Sequence, residues 1–547
     1  MTTREGAMNL TSQRNPLGAM ANFAQRWPKL TAILLGLVAA CGYPPIHGWW
    51  IALPALALTI AHWHAAPDWK AALSRGYLFG WAHLTLANNW IATAFTHQAK
   101  MPEALGWLAV PLLCVYLAIY PALAVLAAHK LSRGKGLLAF GVVLAGAWVI
   151  TEWARGWMFT GYPWPPLGLV LLGSWENPGL AKALPWLGTY ALSGLTFFIA
   201  AALASGLKGA DWRGRAAFAA LVAAGMLVPI NSSETDTDIR YALIQPLIPQ
   251  DEINDGSKFE EQFQRTASLT LPDREQERLV LWPESAIPDY LEDGYPQRYY
   301  ARMTAGADPD FARRRIGSVI GPDAALLTGV VNLDIGVGKG GFPTALTARN
   351  SVLGLNGAGD ITHHYAKAHL VPYGEYLPME WLLKPIGLAR LTEGTIDYQP
   401  GPGPQSLDLG KYGKAGIQIC YEIVFSGHVV DRNDRPDYIF NPSNDGWFGA
   451  WGPPQHLAQA RMRAIEEGLP VMRSTTTGIS AVVDANGIVR ATVRSGEAGR
   501  LDGFIPQAKA PTLFARLGHI LTLAWAGFLL LAGWGLPRLL ALRQSRS

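Results

Sequence analysis

The sequence predicts a protein of two parts: a polytopic α-helical membrane domain of about eight transmembrane helices and a layered α/β domain. Three observations predict it. Half of the chain is hydrophobic and only 16% is charged, against roughly 25% charge in soluble domains. Apolar stretches long enough to span a bilayer crowd the first 230 positions, and one more stands near the end. Between them, from Asp236 to Pro511, short β-branched runs alternate with polar, helix-compatible segments. At 547 residues the chain also exceeds one ordinary core. The net charge of +4 is small and diffuse, which excludes nucleic acid as the expected partner.

Residues 1–27 form a basic leader with Arg4, Arg14 and Arg26, expected in the cytoplasm. The first apolar segment lacks a small-residue cleavage site after it and reads as an uncleaved anchor. Seven spans are expected within 28–232, near 29–43, 49–65, 73–96, 105–130, 136–157, 188–207 and 212–230. The eighth falls at 513–536, and 537–547 is the tail. Lys70 and Arg75, then Lys130, Arg133 and Lys135, then Lys208, Arg213 and Arg215 fill the even loops. Arg538, Arg543 and Arg546 fill the tail, while the odd loops are nearly free of Lys and Arg. This asymmetry places both termini in the cytoplasm and the 236–511 domain on the far side. Glu152 and Arg155, near the outer end of the fifth span, are placed to pair with each other.

The fifth loop, Gly156 to Gly188, is crowded with Trp157, Phe159, Tyr162, Trp164, Trp175 and Trp186. Either it is an interfacial aromatic belt or it lines a headgroup cleft beneath the α/β domain. In that domain strands are expected at Ile239–Gln245, Arg278–Leu281, Ala325–Val331, Gly416–Ile419, Tyr438–Phe440 and Gly478–Val483. Gln399–Pro404 is a turn-rich connector. The apolar segment from Leu377 to Leu388, with proline near both ends, reads as a loop that touches lipid or covers a cleft. Its Trp381 is taken as a lipid contact.

Three cysteines build no disulfide framework. Cys41 and Cys114 lie in apolar stretches as packing residues, whereas Cys420 follows the run Ala415-Gly416-Ile417-Gln418-Ile419 and precedes Tyr421 and Glu422. A thiol at a strand end faces a cleft, and a thiol attacks as thiolate with a base or cation beside it. Two other strand ends supply those groups. In Leu279-Val280-Leu281-Trp282-Pro283-Glu284-Ser285, proline ends the strand and leaves the Glu284 carboxylate beyond it. In His364-Tyr365-Ala366-Lys367-Ala368-His369-Leu370-Val371-Pro372-Tyr373-Gly374-Glu375, Lys367 sits among apolar neighbours, where its charge serves an oxyanion. His363, His364 and His369 lack the companion ligands of a zinc site, so no metal is expected. No other cofactor is expected either.

The order Trp-Pro-Glu-Ser, Lys-x-His-Leu-Val-Pro-Tyr-Gly-Glu and Ile-Cys-Tyr-Glu resembles the nitrilase superfamily. With the surrounding helices, with Asn441–Gly449 and with Gln455–Ala464, the whole chain resembles the bacterial apolipoprotein N-acyltransferase family. The resemblance implies an α-β-β-α sandwich and a Glu-Lys-Cys triad at Glu284, Lys367 and Cys420. It implies supporting roles for Glu375, Tyr421 and Glu422, and substrate contacts are placed at Trp447 and Phe448 beside Trp381. The implied reaction moves an acyl chain from a phospholipid, typically phosphatidylethanolamine, through a cysteine thioester to the N-terminal amine of a diacylglyceryl-cysteine apolipoprotein. The implied location is the bacterial inner membrane, with the catalytic domain periplasmic. Two positions depart from the family pattern without touching the triad: Asn254 stands where tryptophan is usual, and Thr476-Thr477 replaces Asn-Asn. A membrane-anchored amidase for small amides is the alternative, since the triad does not choose its acceptor. A transporter with an inactive sensing domain fits less well, because the spans hold few charges.

Overall fold

The computed structural model describes residues 16–97, 104–159, 161–206, 212–229, 235–272, 277–338, 340–383, 385 and 396–544. The start of the leader, Lys208 and much of the 377–388 segment therefore lie outside the described residues.

Helices occupy each expected apolar stretch, with shifted ends: Pro28–Ala40, Trp49–His64, Trp69–Ala87, Ala104–Leu117 continued by Ile119–Leu131, Leu137–Arg155, Leu184–Gly206, Trp212–Leu227 and His519–Gln544. Among the described residues three helical stretches, Ala104–Leu131, Leu137–Arg155 and Leu180–Gly206, are long and apolar enough to cross a membrane. Two boundaries moved for local reasons. The third helix begins at Trp69, not near 73, because Asp68 caps it by accepting from the Ala71 N–H at 2.8 Å. The last apolar stretch is broken, with a short helix at Leu513–Leu517 ending on Gly518 at φ +55° before His519–Gln544 begins. Glu152 and Arg155 do approach each other, at 3.7 Å and fully buried.

Among the described residues the α/β part has thirteen strands: β1 (Asp236–Gln245), β2 (Arg278–Leu281), β3 (Ala324–Val337), β4 (Pro343–Asn356), β5 (Ile361–Ala366), β6 (Asp397–Tyr398), β7 (Ser406–Asp408), β8 (Lys414–Ile417), β9 (Tyr438–Ser443), β10 (Val471–Thr475), β11 (Ser480–Val483), β12 (Val489–Val493) and β13 (Gly499–Pro506). One sheet runs β13-β1-β2-β3-β4-β5 with β6 beside β4, and the other runs β12-β11-β10-β9-β8-β7. Alternation sorts each strand's side chains between two faces. Leu243, Leu279, Leu281, Leu327 and Val352 point to the core shared with Ile417, Phe440 and Met472 of the second sheet. Their neighbours Ile244, Val280, Leu326 and Leu353 point away, onto Phe263 and Ala267 of helix Phe259–Thr270 and onto Ile316 and Ile320 of helix Pro309–Ile320. Helix Gly452–Glu467 covers the second sheet through Leu457, Ala460 and Ala464. The result is four layers, α-β-β-α.

That last helix is buried on every side, because the membrane helices and the fifth loop close over its outer face. Gln455 Nε2 donates to Pro44 O at 3.2 Å and Ala87 O at 3.1 Å, and its Oε1 accepts from Trp164 Nε1 at 2.8 Å. Glu466 accepts from the Thr189 N–H at 2.6 Å, and Arg461 donates to Gly173 O at 3.1 Å. The aromatic loop thus divides: Trp164 is wholly buried against the α/β part, while Trp157, Phe159 and Trp186 are exposed. Only that second group fits an interfacial belt.

Candidate active site

The three expected strand ends converge where the two sheets meet. Strand β2 stops at Leu281, and Pro283 O accepts from the Gly329 N–H at 3.1 Å, which turns Glu284 inward. Glycine is required at 329, because a Cβ there would lie 2.6 Å from the Glu284 Cα. Lys367 follows β5, and its own N–H donates to Asn350 O on β4 at 2.8 Å. Cys420 comes three residues after β8 ends, later than the expected strand end, and opens a 3-10 turn over Cys420–Val424. Its φ is +49°, a left-handed conformation that costs a side-chain-bearing residue energy and that recurs at catalytic turns. Ser285 and Tyr373, beside Glu284 and Glu375, share it at +51° and +63°.

Lys367 is 1% exposed and lies between two carboxylates, with Nζ 3.0 Å from Glu375 Oε1 and 3.5 Å from Glu284 Oε1. Asn350 Nδ2 completes the cluster, donating to Glu284 Oε1 at 2.7 Å and to Glu375 Oε1 at 2.9 Å. The other oxygens are held by main chain: Glu284 Oε2 accepts from the Asn444 N–H at 2.8 Å, and Glu375 Oε2 from the Val371 N–H at 2.7 Å. Burial works against the Lys367 ammonium, but Glu375 and Glu284 outweigh it and raise its pKa, so the charge persists. Burial and the Glu284 charge push the Cys420 thiol well above its ordinary range, against the pull of Lys367. The resting site therefore holds a neutral thiol beside a carboxylate and an ammonium.

Glu422 clamps the turn. Its Oε1 accepts from the Ala368 N–H at 2.7 Å and the His369 N–H at 3.2 Å, its Oε2 from the Ile419 N–H at 2.8 Å, and both from Tyr365 Oη. Burial raises its pKa to about 7, opposed by those Ile419 and Ala368 N–H groups and by Lys367. Tyr421 is buried too, with Oη 3.4 Å from Gly161 O of the aromatic loop.

Among the expected lipid contacts, Trp381 is 78% exposed on the short helix Glu380–Leu383. Phe448 is buried, its ring 4.7 Å from Trp90 and 5.9 Å from Trp164, so it joins the seam between the two parts. Trp447, partly buried, sets its ring 5.8 Å from His97. The histidines serve elsewhere: His363 Nε2 lies 2.9 Å from Asp408 O, His364 3.1 Å from Glu292, and His369 stacks on Phe425 at 4.2 Å. Asn254 is exposed, while Thr476 Oγ1 donates at 2.8 Å to Oδ1 of the same Asn444 whose N–H binds Glu284. Asn350 escaped the sequence reading, since a lone asparagine inside a strand carries no motif. It stands between Arg349 and Ser351, among polar neighbours that hide it.

Two family models match the chain: the apolipoprotein N-acyltransferase N-terminal domain over 35–202 and carbon-nitrogen hydrolase over 242–506. The apolipoprotein N-acyltransferase of Rhodopseudomonas palustris is 32% identical over 89% of this chain and 91% of its own. That of Bradyrhizobium diazoefficiens is 34% identical over 82% and 83%. The chain belongs to the apolipoprotein N-acyltransferase family. A solved amidase from Nesterenkonia sp. is similar at a TM-score of 0.31 and 18% identity, covering 52% of this chain and 96% of that one. As an apolipoprotein N-acyltransferase, the chain joins apolar helices to a nitrilase-like α/β domain, and the convergence of Glu284, Lys367, Glu375 and Cys420 lies in the second of these.

Proposed function

We propose that this acyltransferase carries its acyl group on Cys420, taking it from a phospholipid and delivering it to the N-terminal amine of a diacylglyceryl-cysteine apolipoprotein. The observation that carries this reading is the buried cluster in which Glu284 and Lys367 both act on one thiol held in a left-handed turn.

In the first half-reaction Glu284 takes the Sγ proton as sulfur attacks the ester carbonyl. The oxyanion that develops faces Lys367 Nζ and the Tyr421 N–H, the backbone donor next to the sulfur-bearing residue. The C–O bond then breaks, and the departing lysophospholipid oxygen takes the proton from Glu284. In the second, the amine attacks the thioester carbonyl, Glu284 receives the amine proton, and that proton returns to the Cys420 sulfur as the C–S bond breaks. Glu375 and Asn350 keep Lys367 and Glu284 in place between turnovers. Burial of the whole cluster excludes water, which would otherwise release the chain as fatty acid.

The donor proposed is phosphatidylethanolamine, reached past the exposed Trp381. Eight spans, with the even loops and both termini cytoplasmic, would place the α/β domain on the periplasmic face of a bacterial inner membrane, since Lys and Arg crowd those loops. Mass spectrometry of the purified protein after incubation with phosphatidylethanolamine tests the reading. A thioester-linked acyl chain on the peptide carrying Cys420 is expected. A chain trapped on any other residue overturns it.

A further inference from the structure

Behind the nucleophile lies a buried polar cluster that the acyl-transfer steps do not use. His456 Nε2 is 3.0 Å from Cys420 O, and the facing carbonyl requires that nitrogen to carry the hydrogen. Its Nδ1 lies 2.9 Å from Asp445 Oδ1 and 3.0 Å from an Arg473 terminal nitrogen. That same nitrogen donates to both Asp445 oxygens, at 2.8 and 2.7 Å. Arg473 further donates to Ser443 at 2.9 Å and to Asn441. His456 and Arg473 are 0% exposed and Asp445 is 3% exposed. The packing leaves no freedom, since a Cβ on Gly478 would lie 2.3 Å from Asp445 Oδ2.

We propose that His456 is a positioning residue for the oxyanion site, acting through the peptide between Cys420 and Tyr421 and itself held by Asp445 and Arg473. A trans peptide is planar, so its C=O and N–H point in opposite directions. Fixing the Cys420 C=O on His456 Nε2–H aims the Tyr421 N–H away from the helix and toward the thiol side, where the reacting carbonyl oxygen develops charge. A hydrogen bond to the carbonyl also polarises the amide and strengthens its N–H as a donor. The turn needs such a hold because Cys420 sits at φ +49°, where relaxation of the backbone would swing this peptide. Glu422 ties the Ile419 N–H to the Ala368 N–H of the segment after Lys367, and His456 is what meets the Cys420 carbonyl. His456 follows Gln455, which ties the same helix to Pro44 and Ala87, so the hold is anchored in the membrane helices.

The inference rests on the acyl-transfer reading, and two reactions of one sulfur separate them. Acylation by phosphatidylethanolamine passes through an oxyanion, whereas alkylation by iodoacetamide does not. His456→Leu is expected to slow Cys420 acylation about 10- to 100-fold, less than loss of an oxyanion donor itself, with KM little changed and alkylation within about threefold of the unsubstituted protein. His456→Gln, whose amide nitrogen reaches the Nε2 position, is expected to restore most of the acylation, and His456→Asn is not. Acylation unaffected in His456→Leu overturns the proposal alone. Acylation and alkylation falling in parallel also overturn it, by showing support of the fold rather than of the oxyanion. Failure of the unsubstituted protein to form the thioester overturns the acyl-transfer reading and the proposal with it.

Discussion

On the proposed mechanism Cys420 enters the reaction as a thiol and not as part of a standing thiolate pair, which has a measurable signature. Burial and Glu284 hold its pKa well above the ordinary range, so at working pH the thiolate is scarce and its fraction grows with every rise in pH. Alkylation of Cys420 by iodoacetamide is therefore expected to climb steadily across about pH 7 to 9 without levelling. A plateau in that window would mean a preformed thiolate. Lys367→Ala removes the cation between Glu284 and Glu375, leaving two buried carboxylates bridged by Asn350. Thioester formation is expected to slow about 10²- to 10³-fold, and the protein to melt earlier because like charges then share one pocket. Cys420→Ser is expected to form no acyl-enzyme on the same timescale, because a hydroxyl ionises far less readily. That Glu284, Lys367 and Cys420 lie together was legible in the sequence because each follows an apolar run. The bonds of Asn350 and the contact of His456 with Cys420 O were not, since their partners Glu284 and Cys420 lie 66 and 36 positions away.

At the scale of elements, the chain announced its strands where β-branched runs were long and ended sharply. Arg278–Leu281 was placed to the residue, and the cysteine strand missed by two because Gln418 and Ile419 look extended yet already lead into the turn. Strands β4, β5, β6, β7, β10, β12 and β13 went unread. Their polar faces or short lengths resemble loops, and pairing with a neighbouring strand creates them, as β4 pairs with β3, β5 with β4 and β13 with β1. The membrane helices were legible by apolarity, but their starts and stops depended on Asp68 and Gly518, small signals beside a large one. The helix Gly452–Glu467 reads as amphipathic and polar, yet it is buried throughout. Its polar side chains bind the other part of the same molecule, which no periodicity displays. Gln455→Leu would strand the Trp164 N–H and the carbonyls of Pro44 and Ala87. A loss of about 2–4 kcal/mol is expected, measured as an earlier thermal transition in detergent.

At the scale of the molecule, exposure is distributed unevenly around the site. The cluster at Cys420 is nearly sealed, whereas Met379 and Trp381 stand 46% and 78% exposed close in sequence to Glu375. Apolar side chains left so bare are expected to meet lipid. Trp381→Asp is expected to slow turnover of vesicle-bound phospholipid about tenfold or more, since a carboxylate resists burial in the bilayer. Folding and alkylation of Cys420 should be unchanged, and equal turnover would remove Trp381 from the lipid path.

The all-round burial of Gly452–Glu467 has a consequence for anyone wishing to sever the enzyme into halves. Residues 236–511 expressed without the apolar helices would carry Gln455, Arg461, Arg463 and Glu466 on a face stripped of its acceptors and donors. Such a fragment is expected to come out insoluble, however complete its two sheets, because the seam is as much interior as either half's own centre.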